Sequence, residues 1–317
     1  MALIIGSVSM SYARDNIQIA GSSTVLPFAT IAAESFGENS GFAAPIVEGG
    51  GTGAGIKKFC EGIDEDTIDI ADASRQMNEK EKADCAAAGV TDISEVRLGY
   101  DGIVFASDVN GPDFALTPSF VYQAINKDST ATSWKDIDSS LPDQNILLLI
   151  PGTKHGTREV FDQKVILQGC KDSGSYDKIL AKLNDPKEAE QECVSLRTDD
   201  SVVEIDGDYT ETLNRLKTNT NAVGVFGLSF YENNTDTLHV ATVNNILPST
   251  DTIANGTYPV SRPLYFYVKN AHIGSIPGLK EFAQYFISDD MAGPDGKLVE
   301  DGLVSDPELS KTQEQLK

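Results

Sequence analysis

Apolar and polar positions along this chain fall into short blocks with two different periods. NIQIAG places Ile17 and Ile19 on one side of a two-residue repeat and stops at Gly21, the pattern of a strand with one buried face. LPFATIAAESF follows at helical spacing, with Val25, Ala29, Ala32 and Phe36 on one face. The same alternation continues. APIVEGGG, TIDIADAS, GIVFAS, NILLLIPG, AVGVFG, LHVATV and PLYFYVKN predict strands, several as continuous apolar runs suited to a sheet covered on both faces. GGGTGAGIKKF predicts a helix with Ile56, Phe59 and Ile63 inward. Strands that alternate with helices point to an α/β architecture with mainly parallel sheets.

Length divides this pattern. A chain of 317 residues is long for a single core and suits two domains of roughly 150 residues each. The loops around Ser107–Pro112 and Asn244–Thr252 are the expected crossings. They predict a discontinuous first lobe, residues 14–105 with 248–317, and an inserted second lobe, residues 106–247, with a cleft between them. Residues 1–13, MALIIGSVSMSYA, are apolar and end near a small-x-small site, as in a signal peptide that lacks its basic start. No cysteine follows closely, which speaks against a lipoprotein. Cys60, Cys85, Cys170 and Cys193 allow three pairings. Two local disulfides, Cys60–Cys85 and Cys170–Cys193, are the economical reading for an oxidising compartment.

Charge excludes some functions. With 48 acidic and 25 basic residues the net charge is −23, wrong for a phosphate backbone or an anionic bilayer. No apolar run is long enough to insert into a membrane. The histidines His155, His239 and His272 have no H-x-x-x-H spacing, and no G-x-S-x-G elbow occurs. The acidic runs GIDEDTIDIAD and EIDGDYTE lack a full calcium-loop pattern and read as solvated loops. No metal or other cofactor is expected.

Three strand ends share one design that the charge balance does not predict. GSSTVLPF, GGGTGAGIKKF and PGTKHGTREVF each carry glycine and hydroxyl residues from a strand into a helix. A helix start leaves backbone N–H groups unpaired and bears about half a positive charge. Glycine lets an oxyanion approach, and Ser or Thr hydroxyls add donors. One such loop is ordinarily just a helix cap. Three of them, in two expected lobes, suit a tetrahedral anion held from both sides. Arg75 follows a strand end, and its planar fork can take two oxygens. Arg158 stands in a first helical turn, where a cation opposes the dipole unless an anion is near. For both arginines the plain alternative is a salt bridge to a surface carboxylate.

With these residues in view, the chain resembles the periplasmic phosphate-binding proteins of bacterial ABC importers. GSSTVLPF, GGGTGAGIKKF, IADASRQM, GYDGIVFA and HGTREVF occur in that family's order, over about residues 15–285. The resemblance implies a two-lobed Venus-flytrap receptor, a monomer and not an enzyme, that closes on one inorganic phosphate and delivers it to a membrane permease. By position it implies phosphate donors at Ser23, Thr24, Thr52, Ser74, Arg75, Gly156, Thr157 and Arg158. His155 stands where many members have serine. Some members use a carboxylate to accept the proton of monohydrogen phosphate and so repel sulfate. The aligned position here is Ser74, which leaves Asp101 or Asp72 as the candidate acceptor. Two alternatives remain: a receptor for another oxyanion such as sulfate, and a phosphoester hydrolase built on the same pocket.

Overall fold

The computed structural model describes residues 14–153, 156–206 and 209–317. The expected signal segment, residues 1–13, lies outside them, as does His155. Each strand foreseen from the apolar pattern forms. In chain order they are β1 Gln18–Gly21, β2 Ile46–Gly49, β3 Ile70–Ala73, β4 Ile93–Asp108, β5 Ala115–Leu116, β6 Leu148–Pro151, β7 Val202–Ile205, β8 Val223–Gly227, β9 Leu238–Val240, β10 Thr242–Val243 and β11 Ser261–Lys269. The first five α-helices of the described residues are α1 Leu26–Asn39, α2 Thr52–Phe59, α3 Glu79–Ala87, α4 Pro118–Ile125 and α5 Gly156–Val160, the last running into a π-helical stretch at Phe161–Leu167.

One sheet runs through the molecule in the order β2-β1-β3-β11-β4-β8-β6-β7, with β9 also on β4, while β5 and β10 pair separately. β1 pairs in parallel with β2 and β3, and β6 in parallel with β7 and β8. Between these parallel groups stand the antiparallel strands β11 and β4. β4 is shared: it pairs with β11 from Ile93 to Gly102 and with β8 from Ile103 to Ala106. The chain thus passes from one half to the other inside a continuous strand.

Burial follows the two halves. One core gathers Ile19, Phe36, Leu98, Leu264, Phe266 and Phe282. On the opposite face of the same half, Ile56, Phe59, Met77, Tyr265 and Tyr267 form a smaller core. Leu264, Phe266 and Val268 thus face one core and Tyr265 and Tyr267 the other, the two-residue period of a strand covered on both sides. The second half packs around Ile103, Phe105, Leu149, Phe161 and Phe226. Val25, Ala29, Ala32 and Phe36 form the buried face of α1, all at 2% exposure or less. Ile63 departs from expectation. α2 ends at Phe59, so the inward face stops at Ile56 and Phe59, and Ile63 is 50% exposed. Disulfides join Cys60 to Cys85 and Cys170 to Cys193, the first tying the end of α2 to α3.

Candidate anion-binding site

Glycines let the first two predicted loops meet. A Cβ at Gly55 would lie 2.4 Å from the Cα of Gly21 and 2.5 Å from the carbonyl oxygen of Ala20, so only glycine lets α2 rest on the end of β1. Gly51, with φ 89°, turns the chain into α2, and its N–H donates to the Gly21 carbonyl at 2.8 Å. α2 starts without a side-chain cap. α1 also starts without a side-chain cap, and in the turn before it Ser22 Oγ accepts from the N–H groups of Thr24 at 3.2 Å and Val25 at 3.4 Å. Ser23 is exposed.

A cleft of about 490 Å³ opens beside these loops, lined by Thr52, Ser74 and Arg75 from the first half and Glu159, Gln163 and Lys164 from the second, with Arg262 of β11 between them. Thr52 Oγ1 accepts from the Ser74 N–H at 3.0 Å and lies 3.2 Å from Ser74 Oγ. Thr24 Oγ1 donates to Glu159 Oε2 at 3.0 Å and accepts from Arg262 Nη2. Thr24 and Glu159 are 135 residues apart in sequence and belong to different halves. Arg262 is 6% exposed. Its Nη1 lies 3.7 Å from Glu159 Oε1, and its Nε lies 4.0 Å from Asp101 Oδ2. Neither that Nε nor that Oδ2 has a hydrogen-bond partner, and buried polar atoms left so are uncommon.

Both candidate aspartates are buried. Burial pushes the Asp101 carboxyl up to about 6, with Arg262 opposing and Glu159 adding to the rise. Asp72 is pushed up to about 8 by burial alone, and its Oδ1 has no partner. Asp101 faces Arg262 across β4 and β11, where the two residues are in register. Asp72 instead sits under Gly21 on β3.

The two arginines named from sequence are engaged elsewhere. Arg75 makes a two-pronged bond to Glu81, each arm 2.8 Å, and also donates to the Gln76 carbonyl. Glu81 is held for this by the capping box with Asn78 that starts α3. Arg158 donates to Asp162 at 2.8 Å and to the Pro151 carbonyl at 3.1 Å, and pairs with Glu204 at 3.0 Å. Thr157 Oγ1 accepts from Tyr209 at 3.2 Å. Gly156 opens α5.

Arg262, Glu159 and Lys164 escape a reading of the sequence. The last strand reads naturally from Pro263, one residue after Arg262, and an arginine heading an apolar run was the available signal. Lys164 reaches the cleft from the π-helical stretch Phe161–Leu167, whose altered phase an ideal helical wheel does not follow. Glu159 is one of 48 acidic residues and carries no signal of its own.

Fold and cleft together define a two-lobed binding protein. The chain belongs to the PBP superfamily, whose domain it matches over residues 9–290; the members are substrate-binding receptors. It is 29% identical over 295 residues to the phosphate-binding protein PstS of Staphylococcus epidermidis, covering 90% of this chain and 78% of that protein. Against the protein SphX of Synechocystis it is 28% identical over 302 residues, with 91% and 80% covered. A possible phosphate-binding protein from Planctomyces limnophilus has a crystal structure with the same fold, at TM-score 0.73 and 25% identity, covering 95% and 96% of the two chains.

Proposed function

We propose that this chain is the receptor of a phosphate importer, binding inorganic phosphate between its lobes and handing it to a membrane ABC permease. One observation carries the reading. Thr24 from the first strand-to-helix loop meets Glu159 from α5 and Arg262 from β11 at the wall of the cleft through charge-assisted contacts. Local desolvated donors of this kind set anion affinity. The phosphate-binding relatives support the choice of anion.

In this reading the lobes are residues 14–105 with 248–317 and residues 106–247, closing about β4 and the approach to β11. Ser23, Thr24, Thr52 and Ser74 supply hydroxyl and amide donors from one side, and Gly156 and Thr157, with His155, from the other. Arg75 and Arg158 reach the anion only by leaving Glu81 and Asp162. Asp101 is the better acceptor for the phosphate proton, because it faces Arg262 and ionises near neutrality. The protein works as a monomer in the periplasm, exported by residues 1–13, and turns nothing over.

Calorimetry on anion-stripped protein tests the reading. One-to-one phosphate binding, absent sulfate heat and compaction in X-ray scattering are expected. Equal binding of sulfate would refute phosphate specificity. Steady release of phosphate from a phosphomonoester would refute the receptor reading in favour of a hydrolase.

A further inference from the structure

We propose that Glu159 is a built-in competitor for the anion, and that Arg262 and Lys164 are the cations which meet the ligand's charge. The inference rests on the phosphate-receptor reading and deepens it. Glu159 presents two carboxylate oxygens to the groups a tetrahedral oxyanion would use: Oε2 accepts from the Thr24 hydroxyl at 3.0 Å, and Oε1 faces Arg262 Nη1 at 3.7 Å. The carboxylate bridges the two halves where phosphate must bridge them. Its contact with Arg262 is loose, and the Nε of the same guanidinium, facing Asp101, has no hydrogen bond. A rigid guanidinium with unused donors favours a better-matched partner.

Lys164 supplies the second charge. It lines the same cleft, is half-buried, and makes no ion pair among the described residues. Burial and the neighbouring Arg262 both disfavour its charged form. Arg262 faces Glu159 at 3.7 Å and Asp101 at 4.0 Å without a hydrogen bond to either, and Lys164 meets no carboxylate among the described residues, so the two cations of the cleft are incompletely neutralised. A dianion that displaces Glu159 brings one more negative charge than it removes, and so relieves both cations. A monovalent anion merely replaces one negative charge by another. Glu159 therefore sets a threshold that favours doubly charged oxyanions.

The test is calorimetric titration of wild type, Glu159→Gln and Lys164→Gln with inorganic phosphate at neutral pH, with melting temperatures of the ligand-free proteins alongside. Glu159→Gln removes the competitor and tightens phosphate about tenfold, while Lys164→Gln loses a charge-assisted contact and weakens it about 10- to 100-fold. Among the described residues Lys164 has no ion-pair partner to lose, so its variant keeps the wild-type melting temperature or exceeds it. Unchanged affinity in Lys164→Gln, or weakened affinity in Glu159→Gln, overturns the inference while leaving the phosphate reading intact. No phosphate binding by wild type overturns both.

Discussion

Asp72 offers the cleanest energetic test of the site's scaffold, because burial is the only influence on its ionisation. Folding raises its carboxyl from 3.8 to about 8. Between those values the folded state holds a proton that the unfolded state has released. The resulting stability is fully present below about pH 3.8 and is lost as the pH rises through about 8. Near pH 7 the gap to the unfolded value is roughly three units, so taking up that proton costs folding about 4 kcal/mol. Asp72→Asn keeps the shape and needs no proton, though the buried amide forfeits about 1–3 kcal/mol where it stays unpaired. The variant should gain about 1–3 kcal/mol near pH 7. Urea unfolding of ligand-free protein from pH 5 to 8 reads both quantities. Wild type should lose stability with pH faster than the variant, by about 1.4 kcal/mol per pH unit, the slope of one proton. Parallel curves would refute the claim that Asp72 folds in protonated form. Asp72 is in register with Gly21 and not with Arg262, so phosphate affinity should survive the change.

The other predictions concern the pocket itself. Asp101→Asn replaces the proposed proton acceptor by a group that can donate, so sulfate heat should appear in calorimetry and phosphate preference collapse; continued rejection of sulfate would move the selecting role elsewhere. Gly55→Ala drives a methyl into Gly21 and the Ala20 carbonyl, an overpacking cost of about 1–3 kcal/mol. Because the same contact seats α2 on β1, both the melting temperature and phosphate affinity should fall together.

The strands were legible because their apolar runs are short, bounded by glycine and proline, and too regular to mistake. The buried face of α1 was equally plain. Legibility failed where a side chain's surroundings come from distant segments. α2 ends at Phe59, which leaves Ile63 in solvent despite its spacing. Arg75 and Arg158 carried the right chemistry for an anion, yet Glu81, Asp162 and Glu204 occupy them. None of those pairings follows from the loop sequences alone. Arg262 was hidden by an edge effect at the start of β11, and Lys164 by a stretch of helix with unusual phase. The second and third strand-end loops reach one cleft through Thr52 and Glu159, but its most buried cation, Arg262, comes from β11.

That substitution follows from the chain's charge balance. With 48 acidic residues against 25 basic ones, an arginine that reaches the surface meets a carboxylate sooner than a ligand. Arg75, with its side chain 46% exposed, is held by Glu81 in this way. Arg158 is more buried, yet two carboxylates still reach it. Arg262, buried on β11 and in register with Asp101 of β4, makes only loose contacts with Asp101 and Glu159. Distant carboxylates are screened over about 8 Å in physiological salt, so the net charge barely registers inside the cleft. An acidic protein can therefore hold a dianion, provided its binding cation is one that its own surface cannot neutralise. Arg262 meets that condition, and Arg75 and Arg158 do not.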